Sequence, residues 1–209
     1  MNYYYNILVT GCSSGLGKAL FNETYNHDHL KSFAHYRSNL VDPYALVGDI
    51  TDDSFPDILD EYIRSREVDC FINNAGVLEG KVIETNLIAQ IKMLQVVYNY
   101  FLEKQKGKII NINSVAGLYP SANESIYCAS KFGLKGFSQS MQLEAVGRGI
   151  EVMDVYLGGV QTRMTEERSN YDSLMQADDV AQQIIDLVNT KSYYVNEITL
   201  RRRNESSNS

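Results

Sequence analysis

The apolar run Ile7-Leu8-Val9 ends directly in Thr10-Gly11-Cys12-Ser13-Ser14-Gly15-Leu16-Gly17. A short apolar stretch that breaks into a glycine-rich turn reads as a buried strand feeding a helix. Gly11, Gly15 and Gly17 permit a tight reversal, close backbone approach to a pyrophosphate, and close packing of helix on strand. The spacing is Gly-x-x-x-Gly-x-Gly, not the Gly-x-Gly-x-x-Gly of many dinucleotide-binding turns. On its own the pattern also fits an ordinary strand-to-helix turn, so the rest of the chain has to decide.

That rest alternates. Gly15 to Tyr25 reads as a helix with Leu16, Ala19, Leu20 and Phe21 on one side, followed by strands at Phe33–Tyr36 and Ala45–Val47. Ser54 is placed to cap a helix running to Arg66, and Cys70-Phe71-Ile72 is the fourth strand. Ile88, Ile91, Leu94, Gln95, Tyr98 and Leu102 recur at helical spacing within a long helix over Glu84–Lys104. Lys108–Asn113 is the fifth strand, Ser125–Val146 a second long helix, and Ile150–Tyr156 the sixth strand. Ala177–Val188 and Tyr193–Leu200 supply the last helix and strand. This order predicts an α/β fold: one Rossmann-type domain over residues 1–200, a doubly wound parallel sheet of about seven strands with helices on both faces. In such sheets ligands sit outside the carboxyl ends of the strands.

Composition narrows the partners. A net charge of −7 with no basic stripe argues against nucleic acid. The one basic run, Arg201-Arg202-Arg203, opens a polar tail over 201–209 and reads as a solvated, frayed terminus. Three cysteines (Cys12, Cys70, Cys128) and three histidines (His27, His29, His35) have no metal-ligand spacing, so reduced thiols and no metal site are expected. The first residues lack signal-peptide character, and no apolar run approaches the roughly 18 residues of a membrane span. A cytoplasmic protein with no membrane partner is the expectation.

The chemistry concentrates at strand ends. Tyr127 and Lys131 lie four residues apart, 13 residues after Ser114. With 15 tyrosines in the chain, about 0.7 Tyr-x-x-x-Lys matches arise by chance, so the pair counts only in context. A phenol is a poor proton relay near neutrality unless a cation stabilises phenolate, and Lys131 shares its helix face. Ser114, ending strand five, could donate to a carbonyl oxygen beside Tyr127. Asn86 could hold a water linking Lys131 to solvent, although a helical asparagine is more commonly a packing residue. Asp49, in Gly48-Asp49-Ile50, could accept from an adenine amino group or simply cap a turn. Asn73-Asn74-Ala75-Gly76 closes strand four with small residues beside which a dinucleotide could lie.

Taken in order, these motifs resemble the short-chain dehydrogenase/reductase family, in the single-domain branch with Thr-Gly-x-x-x-Gly-x-Gly. The resemblance runs from Ile7 to Leu200 and implies an NAD(P)(H)-dependent oxidoreductase that moves hydride between nicotinamide and a carbonyl or alcohol. It maps a catalytic tetrad onto Asn86, Ser114, Tyr127 and Lys131. It maps cofactor contacts onto Gly11, Ser13, Ser14, Gly15, Leu16, Gly17, Arg37, Asp49, Ile50, Asn74, Ala75, Gly76, Gly158, Val160 and Thr162, with Tyr127 and Lys131 added. Family members that use NAD usually end strand two with an acid; here Tyr36 and Arg37 stand there, which favours NADP(H) and leaves NAD(H) open. The two long helices imply a homodimer or homotetramer.

Departures accompany the likeness. Eleven residues between Arg37 and Asp49 leave little room for a helix between strands two and three, and nine between Gly76 and Asn86 shorten another connection. Leu157 replaces the family's proline before Gly158, and the stretch from Arg163 to Gln176 is brief for a substrate lid. The competing readings are a catalytically silent NADP(H)-binding sensor or scaffold, and a nucleotide-sugar epimerase or dehydratase, whose extended branch has different glycine spacing and an added domain.

Overall fold

The computed structural model describes residues 5–38, 42–190 and 192–203. Seven strands form one parallel sheet in the order β3-β2-β1-β4-β5-β6-β7. They are β1 (Tyr5–Val9), β2 (Leu30–Tyr36), β3 (Leu46–Val47), β4 (Cys70–Asn73), β5 (Gly107–Ser114), β6 (Ile150–Leu157) and β7 (Glu197–Leu200). The helices are α1 (Gly15–Glu23), α2 (Phe55–Ser65), α3 (Ala89–Lys104), α4 (Ser125–Ala145) and α5 (Ala177–Val188). The strand order reverses between β1 and β4, where an open α/β sheet places its ligand crevice.

Strand side chains alternate between two cores. Ile7, Val9, Ile110, Ile112, Met153 and Val155 face α1 and α5, where they meet Leu16, Leu20, Val180 and Ile184. Leu8, Phe71, Ile109 and Val152 face the other way, onto Phe55, Leu59 and Ile63 of α2, Val97 and Phe101 of α3, and Leu134 and Met141 of α4. Both faces being covered explains why the central strands read as apolar runs rather than as alternating patterns. Each fully buried Phe or Leu here is worth about 1.5–3 kcal/mol.

Several expected boundaries shift. Ser54 makes no side-chain cap: its backbone is already helical (φ −82°, ψ −13°), and Pro56 in the first turn of α2 starts the helix instead. The long helix over 84–104 opens with a π-turn, Glu84–Ile88, before α3 proper. The last strand begins at Glu197, because pairing with β6 runs only from Asp154↔Glu197 to Leu157↔Leu200; Tyr193 and Tyr194 are exposed ahead of it. Between β2 and β3 the described residues form bends and turns, and β3 pairs through two positions, His35↔Leu46 and Tyr36↔Val47. Leu157 extends β6 in register with Ser114 on one side and Leu200 on the other.

The basic run differs from its reading as a frayed end. Gly158 N–H donates to the Leu200 carbonyl (2.9 Å), Arg202 donates to Ser173 Oγ (3.0 Å), and the Arg201 guanidinium stands 5.2 Å from the Tyr119 ring centroid. Residues 204–209, the remainder of the expected tail, lie outside the described residues. Among the described residues, no helix is long and apolar enough to cross a membrane.

Candidate active site

A cleft of about 1080 Å³ opens along the carboxyl ends of the strands. That is at the top of the roughly 300–1,000 Å³ range of ligand pockets, room for a dinucleotide and a substrate together. Its wall includes Ser13, Ser14, Gly15 and Leu16 of the first turn, Arg37, Asp49 and Ile50, Asn74, Ala75 and Gly76, and Gly158, Val160 and Thr162. Gly11, Asn86, Ser114, Tyr127 and Lys131 line it too. Of the residues singled out from sequence, Gly17 and Asn73 stand behind the wall.

Gly17 has a packing task. A Cβ there would lie 2.2 Å from the Gly11 carbonyl oxygen and 2.5 Å from Asn74 Nδ2, so only glycine lets α1 start this close to the β4 turn. Gly11 itself has φ +75°, left-handed backbone that favours glycine. Thr10 ties the two turns together: its Oγ1 accepts from Asn74 N (2.9 Å) and Ala75 N (3.0 Å), and its carbonyl accepts from Asn74 Nδ2 (2.8 Å). At the start of α1, Ser14 makes no side-chain cap and the first turn holds no acid. The N–H groups of that turn are therefore left for a ligand, and anions suit them. This end of the cleft fits a pyrophosphate.

His35 is a second tie, missed in the sequence. It is buried, its Nδ1 accepts from Gly11 N (3.2 Å), and its Nε2–H donates to the Gly48 carbonyl (2.9 Å). Its ring packs edge-on against Phe55 at 5.2 Å. Burial holds its pKa below the usual histidine value, against the Gly48 bond and the Asp49 charge, so the neutral ring is favoured. The available signal was its position: a polar residue in the core-facing register of β2. Asp49 beyond it accepts from both Thr51 N (2.9 Å) and Thr51 Oγ1 (2.8 Å), which pulls its pKa down. It therefore does cap a turn, while still lining the cleft.

At the catalytic end, β5 delivers Ser114 and the first turn of α4 delivers Tyr127. Ser114 Oγ accepts from Ala116 N (3.1 Å) and acts on the Tyr127 phenol, whose pKa it lowers. Burial nevertheless raises the phenol's pKa; Ser114 and Arg168 lower it, and Glu124 raises it further. The expected pull of Lys131 does not prevail here. Its ammonium donates to the Ile112 carbonyl (3.2 Å) and stands 5.9 Å from the Tyr127 ring centroid. Desolvation brings Lys131 down to about 8, while the field of Asp154 raises it.

Asn86 spends its side chain on packing, one of the two uses its sequence left open. Its Oδ1 accepts from Val77 N (2.8 Å) and its Nδ2 donates to the Val77 carbonyl (2.6 Å). The side chain thus closes the turn after β4, with one amide hydrogen to spare. Neighbouring Gln90 donates to the Ala75 carbonyl (2.7 Å) and steadies the same turn.

A polar row runs across the sheet beneath this end. Asn73 pairs with Asn111, Asn111 with Asp154, and Asp154 with Glu197 on four successive strands. Asn73 Nδ2 donates to Asn111 Oδ1 (3.1 Å), and Asn111 Nδ2 donates to Ser138 Oγ of α4 (2.8 Å). Burial pushes the Asp154 carboxyl up to about 7; Ser138 and Asn111 offset this in part, and Glu197 adds to it. The row anchors the helix that carries Tyr127 and Lys131.

Comparison with known proteins agrees with this geometry. Residues 5–172 match the family described as short chain dehydrogenase. A 3-oxoacyl-[acyl-carrier-protein] reductase, FabG, of Thermotoga maritima is 30% identical, the alignment covering 90% of this chain and 92% of that protein. A 3-ketodihydrosphingosine reductase of Bacteroides thetaiotaomicron is 30% identical over 84% of this chain and 71% of its own. Among solved structures, a 3-oxoacyl-[acyl-carrier protein] reductase of Brucella melitensis in complex with NAD superposes with a TM-score of 0.82 at 21% identity, covering 94% and 95% of the two chains. A serine dehydrogenase complexed with NADP+ gives 0.81 at 22% identity, covering 98% and 97%. The chain belongs to the short-chain dehydrogenase family and is an NAD(P)-dependent oxidoreductase.

Proposed function

We propose that the protein is an NADP(H)-dependent carbonyl reductase, or the reverse alcohol dehydrogenase, with Tyr127 as general acid and base. The observation that carries this reading is the convergence of Ser114, Tyr127 and Lys131 at one end of a cleft whose other end is an open helix N-terminus. Gly11 to Leu16, Asn74 to Gly76, and Gly158 to Thr162 would hold the dinucleotide. When bound, it supplies or accepts the hydride at the carbonyl carbon.

The remaining work falls to side chains. Ser114 donates to the substrate oxygen and keeps it beside the phenol. Tyr127 gives its proton to that oxygen during reduction and takes it back during oxidation. Lys131, buried beneath with its ammonium on the Ile112 carbonyl, would hold the ribose hydroxyls when the dinucleotide is bound. Burial raises the phenol's pKa, so Tyr127 carries its proton near neutrality and enters the reduction as the donor.

Arg37 supports the choice of NADP(H). It lines the cleft where β2 ends, and its charge is felt at Asp49. A guanidinium there pairs with a 2′-phosphate that an acid would repel. Parallel fluorescence titrations with NADPH and NADH test this: NADPH should bind at least about tenfold tighter, the equivalent of ~1.4 kcal/mol. Equal binding would remove the role given to Arg37, and binding of neither would sink the reductase reading. By resemblance we further propose a homodimer or homotetramer through α3 and α4, which sedimentation would overturn by finding a monomer at micromolar concentration.

A further inference from the structure

The cleft is more cationic than the chain that forms it. The protein carries 26 acidic against 19 basic residues, yet the wall holds Arg37, Lys81, Lys131, Arg163, Arg168 and Arg201 against Asp49, Glu79 and Glu124. One of these cations is ion-paired and three others act on a carboxylate at longer range. Arg37 and Lys81 act on Asp49, Lys131 lies in the field of Asp154, and Arg168 pairs with Glu124 at 3.2 Å. Among the described residues, Arg163 and Arg201 have no carboxylate partner within ion-pair distance. Arg163 is exposed; Arg201 is half-buried.

Arg201 is also the one held in place. The backbone before it is fixed by the Gly158–Leu200 hydrogen bond, the residue after it by Ser173, and its guanidinium by the Tyr119 ring. Tyr119 stands five residues past Ser114, across a short 3₁₀ turn whose Val115 carbonyl accepts from Tyr119 N (2.9 Å). Tyr119 and Arg201 both line the cleft, and the short turn joins their wall to Ser114 at the end of β5. A guanidinium held over a ring face leaves its N–H donors available, and that planar fork matches a carboxylate.

We propose that Arg201 is a specificity-determining residue that binds a carboxylate on the substrate, so that the preferred substrates are oxo acids rather than neutral carbonyl compounds. This rests on the reductase reading of the same site. It assigns a use to a basic run that the acidic composition leaves unexplained.

The test uses acid–ester pairs that differ only in charge, acetoacetate and levulinate with their methyl esters. Each is titrated calorimetrically into the full-length protein saturated with NADP+, where no reduction takes place. The acids should bind at least about tenfold tighter than their esters, the scale of a hydrogen bond to a charged group. Arg201→Gln should collapse that preference to within about twofold and leave the esters and NADP+ itself unaffected. Tyr119→Leu should weaken it part-way. Esters that bind as well as acids, a preference that survives Arg201→Gln, or a loss of NADP+ affinity in that variant would each overturn the proposal. Turnover with NADPH is measured separately. Esters reduced as well as acids defeat the carboxylate site alone, whereas acids bound through Arg201 but never reduced defeat the reductase reading alone.

Discussion

At one end of the cleft the walls are backbone: the Gly11–Gly17 turn, the Asn73–Gly76 turn and the first N–H groups of α1, tied by Thr10 and His35. At the other they are long side chains: Tyr119, Tyr127, Arg168 and Arg201, brought in by α4, two short turns and the end of β7. The first end tolerates little variation, because a carbonyl and an amide hydrogen can approach a ligand only where no Cβ intervenes. The second can be re-equipped by changing side chains on the same backbone. On the function proposed above, the dinucleotide would be held by the first kind of surface and the substrate chosen by the second.

Substitutions can break this division, and the largest effect belongs to the catalytic end. Tyr127→Phe removes the proton donor and should lower kcat by about 10²–10⁴-fold, with NADPH affinity within about twofold of the parent. If binding falls as far as turnover, the two ends are not separable. Next comes the backbone end. Gly17→Ala places a methyl 2.2 Å from the Gly11 carbonyl, so the turn must move; NADPH affinity should fall at least about tenfold, in line with the ~1–3 kcal/mol of an overpacked site. Unchanged affinity would mean that the turn is not the cofactor seat.

His35 sharpens the same point through pH. Its folded pKa is lowered, so the unfolded chain takes up the proton first, and stability is lost as pH falls below the ordinary histidine value of 6.5. Protonated Nδ1 no longer accepts from Gly11, and NADPH affinity should decline over that interval. His35→Asn should bind NADPH a few-fold more weakly near pH 8 and show a flatter acid limb. An identical limb in both proteins would show that another group sets it. The smallest effect lies beneath the catalytic end. Asp154 has a raised folded pKa, about 7, so its contribution favours folding at low pH and is lost as pH rises from the ordinary carboxylate range through 7. Asp154→Asn should therefore gain a few degrees in Tm relative to the parent at pH 8 compared with pH 5. No difference between the two pH values would remove the buried charge from the account.

The two ends were not equally legible in the sequence. Glycine spacing and apolar runs report backbone constraints, which is why the sheet, both long helices and the wall from Gly11 to Thr162 could be placed from residues alone. Ser114, Tyr127 and Lys131 were legible because each stands at a strand end or on one helix face. What failed depended on contacts distant in sequence. Asn86 was left between a packing residue and a water holder, because nothing local shows that Val77 folds back onto it. Lys131 was credited with holding the phenolate, but helical spacing does not reveal that its ammonium turns to Ile112 or that burial dominates the phenol. His35 looked like a stray histidine, since its partners Gly11 and Gly48 come from two other loops. The arginine run looked solvated because its neighbours, Tyr119 and Ser173, are 82 and 29 residues away. Charge and polarity describe a residue's preference, and the strand order determines which preference is met.

The central claim is that a hydride crosses from a dinucleotide at the backbone end to a carbonyl carbon at the side-chain end. NADPH deuterated at nicotinamide C4, on either face, incubated with the protein and a panel of oxo acids and ketones, tests it directly by mass spectrometry of the alcohol products. The account predicts deuterium on the carbinol carbon from one of the two labelled faces, appearing about 10²–10⁴-fold more slowly with Tyr127→Phe although that variant still binds the cofactor. Tight NADPH binding with no deuterium reaching any carbonyl compound would contradict it, and would leave a protein that holds the cofactor without using it.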